Sequence, residues 1–234
     1  MYILDIHNDI RNHVASGQES RGALGNQPPA ADMFLLEWDE ELEAIAQRWA
    51  DQCISANAIV QHDKCRRTEN FEVGQNVVTA ISPDVQLPEL SVLILNWYKQ
   101  ITSIIPSDVD EFTGIWRGKH QVGQYTQLVW AKTRLVGCAV AAFKETVGDA
   151  QYIIRFVCNY GPAGNVVGQS VYQRGKPCSR CPYRTCDEMR PNLCGANSNF
   201  GPVDEIYGQF HRRYIRKFNN LEEGDDCVCL FTLD

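Results

Sequence analysis

The chain has 234 residues and 26.5 kDa, with 44% hydrophobic residues, 22% charged residues and a formal net charge of -7. This size and apolar content support a substantial core and exclude a disordered chain or a coiled coil. The acidic balance supplies no basic footprint for a phosphate backbone, so no nucleic-acid partner is expected.

Ile3, Ile6, Ile10 and Val14 recur at spacings of three and four, which predicts an amphipathic helix over residues 3–15. Gly17 closes it, and Gly22, Gly25, Pro28 and Pro29 predict a loop. Asp39 is placed to cap a second helix, with Glu40 and Glu41 in the first turn where carboxylates complement the helix dipole. Its apolar stripe is Leu42, Ile45, Ala46, Trp49, Ala50 and Cys53. Residues 61–75 read as polar and irregular. Pro88 opens a third helical pattern over 88–105, with Leu90, Leu93, Ile94, Trp97 and Ile101 on one side and Pro106 as its stop. A short helical pattern runs from about Tyr125 to Lys132.

Two strands are expected next, Val136 to Lys144 and Gln151 to Tyr160, joined by a turn at Gly148-Asp149. In the second, Tyr152, Ile154, Phe156 and Cys158 face one way while Ile153, Arg155, Val157 and Asn159 face the other. Helices around such strands predict a layered α+β body.

Composition shifts after about residue 164. Residues 165–202 are cysteine-rich and too poor in apolar side chains to fold without cross-links. The expected organisation is a main domain over 1–164 and a cysteine-rich extension over 165–234. Within the extension, Ile206, Phe210, Tyr214 and Phe218 recur every four residues and predict a helix over 203–218. His211, Arg212, Arg213, Arg216 and Lys217 give it a basic side, followed by the acidic Glu222, Glu223, Asp225 and Asp226. Two readings stand: a helix docked by its aromatic stripe with a solvated basic face, or a surface for anionic lipid, a heparin-like polymer or a protein partner.

Ten cysteines, an even number, are read as up to five disulfides made in an oxidising compartment. A zinc site built from Cys178, Cys181, Cys186 and Cys194 is the alternative, but it leaves six cysteines without a role. Residues 1–10 lack signal-peptide character, so secretion implies a leader already removed. No apolar run approaches the ~20 residues of a membrane span, and no transmembrane segment is expected.

Seven motifs occur in one order. They are His7-Asn8-x-x-Arg11; Leu36-x-Trp38-Asp39-x-x-Leu42 running into Ala46-Gln-Arg-Trp-Ala-Asp-Gln-Cys53; His62-Asp-x-Cys65; Val73-Gly-Gln-Asn76; Gly123-Gln-Tyr-Thr-Gln-Leu-Val-Trp130; Val136-Gly-Cys138; and Val157-Cys-Asn-Tyr-Gly-Pro-Ala-Gly-Asn165. Together they cover roughly residues 5–165 and resemble the CAP superfamily of cysteine-rich secretory, antigen 5 and pathogenesis-related proteins, especially arthropod venom and salivary antigen-5-like members. Gly168-x-x-Val-Tyr172 and Gly175-Lys-Pro-Cys-Ser-x-Cys181-Pro also look like the extension of antigen 5 relatives, whereas the stretch after Cys194 departs from their short ending. The resemblance implies a secreted three-layer α-β-α sandwich with a cysteine-rich extension.

It further implies the disulfides Cys138–Cys158, Cys178–Cys186 and Cys181–Cys194. The usual partners of Cys53 and Cys65 lie in an amino-terminal segment that has no counterpart here, so Cys53–Cys65 is the expected pair. That leaves Cys227 with Cys229, or an exchange with the hinge.

The family's cleft carries two histidines and two glutamates that hold a divalent ion. Transferred by motif, the first histidine is His62, while the glutamates fall on Gln75 and Gln100 and the second histidine on Gln124. A neutral amide competes poorly with water for zinc, and the set lacks a carboxylate base and a second imidazole. No Gly-x-Ser-x-Gly elbow occurs. The expectation is a vestigial cleft with no metal, no cofactor and no catalytic residue.

Two binding functions are implied. In the first, a small apolar ligand of fatty-acid or eicosanoid type lies against Ile3, Ile6, Ile10, Leu93, Ile94 and Trp97, with Arg11 as donor to its carboxylate; the plain alternative is that these residues close the core. In the second, the chain is a ligand of a host receptor, channel or coagulation component, acting on haemostasis or inflammation through the loop after Gly175 and the basic residues 211–217. No Arg-Gly-Asp tripeptide is present to engage an integrin.

Overall fold

A computed structural model describes residues 2–55, 62–82, 88–145, 151–182 and 185–195. In chain order the elements are α1 (Tyr2–Ala15), β1 (Glu37–Trp38), α2 (Glu40–Ala50), β2 (Gly74–Ser82), α3 (Leu90–Tyr98), β3 (Trp116–Arg117), β4 (His120–Gln121), α4 (Gly123–Leu128), β5 (Leu135–Glu145) and β6 (Gln151–Gly161). The main sheet runs β1-β5-β6-β2, parallel between β1 and β5 and antiparallel elsewhere. β3 and β4 form a separate small hairpin.

Strand alternation builds the layers. Val136, Cys138, Val140, Ile154, Phe156, Cys158 and Tyr160 face the large core, shared with α1, α3 and α4. The intervening Val77, Ala139, Ala141 and Val157 face α2, where Ala46 and Ala50 pack. That second layer is thin because its residues are small. At Gly137 an added Cβ would come within 2.2 Å of the Glu43 amide nitrogen, so only glycine lets α2 lie this close to β5. The result is the three-layer α-β-α sandwich, with the α2 amino terminus capped by Asp39, whose carboxylate accepts from the Leu42 N–H at 2.8 Å.

Three segments differ from the sequence expectations. β2 falls partly in the stretch read as irregular, although Val77-Val-Thr-Ala-Ile81 is a β-branched run suited to a strand. The third helix is shorter than expected: it starts at Leu90, two residues after Pro88, and tightens into a 3-10 turn over Lys99–Ser103. Ile104 is already extended, as is Ile105 before Pro106, where ring sterics disfavour helix. The fourth helix ends at Leu128 rather than near Lys132.

The first part of the extension shares the main core: Val171, Tyr172 and Leu193 are buried within it. Cys178 is bonded to Cys186 and Cys181 to Cys194, while Cys138–Cys158 joins the adjacent strands β5 and β6. Arg190 then reaches back to Asp5 at 2.9 Å and Asp9 at 3.0 Å on α1. The expected Cys53–Cys65 bridge does not form, since Cys65 is a free, exposed thiol while Cys53 is disulfide-bonded. The expected helix over 203–218 and the pair Cys227–Cys229 lie outside the described residues.

Candidate functional site

The four cleft positions converge on the start of β2, the edge strand of the sheet. His62 and Gln75 form one pair, with His62 Nδ1 3.1 Å from Gln75 Oε1. The same oxygen accepts from the Asp63 N–H at 3.0 Å, and Gln75 Nε2 donates to Asn159 Oδ1 at 2.9 Å. Asn159 Nδ2 donates in turn to the Leu42 carbonyl at 3.1 Å. Because that carbonyl can only accept, it sets the orientation of Asn159, then of Gln75, and makes His62 Nδ1 the protonated nitrogen. Shielding of the ring lowers the His62 pKa below the usual imidazole value against the Gln75 hydrogen bond, and the charge of Arg66 adds to the lowering. His62 is therefore neutral at pH 7.

Gln100 and Gln124 form the second pair. Gln100 Nε2 donates to Gln124 Oε1 at 2.8 Å, and Gln100 Oε1 accepts from the Gln124 and Tyr125 N–H groups at 3.0 and 3.2 Å. Gln124 Nε2 donates to the Val77 carbonyl at 2.9 Å, which covers part of the edge of β2. Asn76 Nδ2 reaches the Gln124 carbonyl at 3.0 Å and fixes the loop to the strand.

All three glutamine side chains thus spend both amide atoms on the protein itself. The donor set does not fit the divalent ion that the family's cleft implies: one neutral imidazole remains, beside amides that would have to break existing hydrogen bonds to coordinate. Nor does it fit acid–base chemistry, for amides neither take nor release protons near neutrality. The protein is non-enzymatic at this site. Among the described residues, the one cluster of potential metal ligands is His7 with Cys138 and Cys158, whose sulfurs are joined in a disulfide. His7 itself is a buried structural group: Nδ1 bonds the Ile3 carbonyl at 2.8 Å, Nε2 bonds the Tyr160 hydroxyl at 3.0 Å, and burial pushes its pKa down to about 4.

The residues expected to contact an apolar ligand are brought together, but as packing. Ile10, Leu93, Ile94 and Trp97 are buried in the large core, with Ile3 and Ile6 against it. Trp97 stacks on Phe156 with ring centroids 5.3 Å apart. Arg11 is fully buried and donates to the carbonyls of Phe34, Leu128, Trp130, Ala131 and Thr133 at 2.6–3.4 Å. Its guanidinium organises the loop after α4 and holds no donor pointed at an open surface. Burial pushes its pKa down to about 9, which still leaves it charged at pH 7.

Of the expected interaction surfaces, the loop after Gly175 exposes Lys176, Ser179 and Arg180, held between disulfides. His211, Arg212, Arg213, Arg216 and Lys217 lie outside the described residues. A different surface stands out in the fold. The β3–β4 hairpin presents Trp116, 57% exposed, and Ile115. Val166 and Val167, the latter 70% exposed, come from a loop clamped beside it. Asn165 donates to the Gly123 carbonyl at 2.7 Å, while the Ile115 side chain covers Gly123 so closely that an added Cβ would lie 2.7 Å from it. Gly114 and Gly118, both at positive φ, bracket Trp116 and let the chain turn back on itself. Sequence reading passes over this site because two-residue strands carry no periodicity; the usable signal is a tryptophan between two glycines outside any helical stripe.

Comparison with known proteins agrees with this architecture. The family model described as Cysteine-rich secretory protein family matches residues 4–160. Venom allergen 5 of Tityus serrulatus is 39% identical over 208 residues, covering 88% of this chain but 47% of that protein, so the chain spans just under half its length. Venom allergen 3 of Solenopsis invicta is 43% identical over 171 residues, 73% of this chain and 70% of that protein. Among solved structures, NaASP2 with Zn2+ superposes with a TM-score of 0.64 at 30% identity, covering 82% of this chain and 92% of that one. On the matched family model, these relatives and the sandwich itself, the chain belongs to the CAP family of cysteine-rich secretory proteins, with venom allergens of the antigen 5 type among its relatives.

Proposed function

We propose that this protein is a secreted binding protein that acts by docking on an extracellular partner protein through the Trp116 hairpin. The observation that carries the reading is the exposed apolar group of Ile115, Trp116, Val166 and Val167 on a scaffold whose cleft is internally satisfied. Tryptophan and arginine dominate the energetics of protein interfaces, and here they are adjacent. Arg117 is steadied by Asp108 at 2.8 Å, and Lys119 and His120 follow it in the hairpin. The matching partner is a protein with an apolar socket and an acidic rim. In a binding screen against displayed extracellular domains, the specific partner should bind the Trp116→Ala variant at least about thirtyfold more weakly, roughly 2 kcal/mol. The melting temperature should not change, because the side chain is mostly in water. Binding that survives the substitution, or that is displaced only by mutation elsewhere, overturns the proposal.

A second reading, uptake of a fatty acid or eicosanoid between α1 and α3, is favoured by one observation. The indole N–H of Trp97 is buried with no hydrogen-bond acceptor, and α3 is apolar on its outer side as well, with Val92 and Leu95 about half exposed. Arg11 is committed to carbonyls, so the Trp97 N–H is the donor that a carboxylate entering there would meet. Titrating delipidated protein with oleate should then give saturable heat in the micromolar range that weakens on Trp97→Phe. No saturable heat removes this reading and leaves the hairpin reading intact.

A further inference from the structure

We infer that the cleft between α1 and the first part of the extension is a binding site for a neutral pyranose sugar. The cleft encloses about 470 Å³ and is lined by Asp9, Asn12, His13, Ser16, Gln18 and Asn192. Every lining side chain carries a hydrogen-bonding group, and none is aliphatic. Asp9, Asn12 and His13 on α1 and Ser16 just past its end share one face by their spacing. A polar helix face by itself is a solvated one. Here the extension is bonded onto that face and supplies a second wall.

Arg190 donates to Asp5 Oδ1 at 2.9 Å and to Asp9 Oδ1 at 3.0 Å. The Asn192 N–H and Nδ2 both donate to Asn12 Oδ1, at 3.0 and 3.1 Å. Asn192 is held in place because the next residue, Leu193, is buried in the core and Cys194 is bonded to Cys181. Gly17, at φ 78°, turns the chain after α1, and the Gln18 N–H returns to Ser16 Oγ at 3.2 Å, so Gln18 joins the lining. These bonds fix the walls before a ligand arrives, which lowers the ordering cost of binding. They also leave groups to spare: Asp9 Oδ2, Asn12 Nδ2, Asn192 Oδ1 and the Gln18 amide have no partner among the described residues.

The chemistry of the spare groups selects the ligand class. A carboxylate oxygen with an amide donor three residues on matches two neighbouring ring hydroxyls, one donating to Asp9 Oδ2 and the other accepting from Asn12 Nδ2. Asn192 Oδ1 and the Gln18 amide serve a further hydroxyl. Asp9 repels an anion, and the Arg190 guanidinium bonded to it repels a cation, so an uncharged ligand is preferred. An apolar ligand would cut these groups off from water with nothing in exchange. The His13 imidazole is the one ring in the lining, so stacking adds little and affinity for a single sugar unit is about millimolar. This site does not depend on the Trp116 hairpin.

Saturation-transfer difference NMR on the full chain tests it, with mannose, glucose, galactose, fucose and N-acetylglucosamine as probes, each as free sugar and as methyl glycoside. At least one should show transfer to its ring protons with a dissociation constant below about 10 mM. Transfer to the methyl glycoside supports a glycan end as the source, and transfer to the free sugar alone supports a free saccharide. Asp9 is exposed and Asn12 half-buried, so Asp9→Ala and Asn12→Ala should keep the circular dichroism of the unmodified protein. Each should reduce the transfer at least about fivefold at the same probe concentration, while Trp116→Ala leaves it unchanged. Silence of all the probes at about 20 mM, transfer that survives both substitutions, or saturable binding of calcium or sulfate lost in Asp9→Ala overturns the inference.

Discussion

Replacing Arg11 with methionine is expected to leave the protein unfolded, or folded only well below its normal melting temperature. The substitution keeps most of the side-chain volume and removes every donor. Five buried carbonyls, at Phe34, Leu128, Trp130, Ala131 and Thr133, lose a charge-assisted hydrogen bond at once. An abandoned buried acceptor costs about 1–3 kcal/mol. The Trp130 and Ala131 carbonyls keep the Thr133 and Phe34 N–H groups as donors. The Phe34, Leu128 and Thr133 carbonyls therefore carry the main loss, about 3–9 kcal/mol, comparable with the whole stability of a typical domain. Arg11→Lys should recover only part of the loss, because one ammonium cannot reproduce a planar fork that serves carbonyls on two sides. Thermal melts followed by circular dichroism check this. If Arg11→Met melts like the unmodified protein and loses only fatty-acid binding, the residue is a ligand donor rather than a structural one.

The second large effect is a gain. The combined substitutions Gln75→Glu, Gln100→Glu and Gln124→His restore an imidazole and two carboxylates around His62, the donor types that zinc prefers. The backbone already suits them. A glutamate at 100 would keep the two N–H donors of Gln124 and Tyr125, and one at 75 would keep the Asp63 N–H. Each substitution also gives up an amide donor, which the ion compensates once bound. The variant should bind zinc at least roughly a thousandfold more tightly than the unmodified protein, about 4 kcal/mol. It should also melt higher with zinc than without, since the ion binds only the folded state. A variant that folds and still ignores zinc would place the block in the shape of the cleft rather than in the chemistry of its amides.

What was legible in the sequence follows physical periodicity. The alternation over 152–159 assigns the two faces of β6 because one face meets the large core and the other meets α2, so every second residue carries the same constraint. Asp39 as a cap is readable because the signal is local and chemical. β2 is harder to read: it is an edge strand whose first residues, Gln75 and Asn76, are polar because they serve the cleft. The Trp116 hairpin is illegible by period because its strands are two residues long. The cleft itself was legible only by residue type: motif spacing points to His62, Gln75, Gln100 and Gln124, but no pattern in the chain says that the amides are paired with one another. Arg11 shows the same limit in reverse. A lone arginine on an apolar helix looks like a site for an anion, and only the fold shows five carbonyls turned toward it.

The amides of the cleft are satisfied within the protein and leave a single neutral imidazole, His62. Calorimetric titration of the unmodified protein with zinc at neutral pH tests this most directly. The expected result is no saturable binding in the micromolar range and the same trace for His62→Ala. One zinc per chain, bound tightly and lost in His62→Ala, would contradict it.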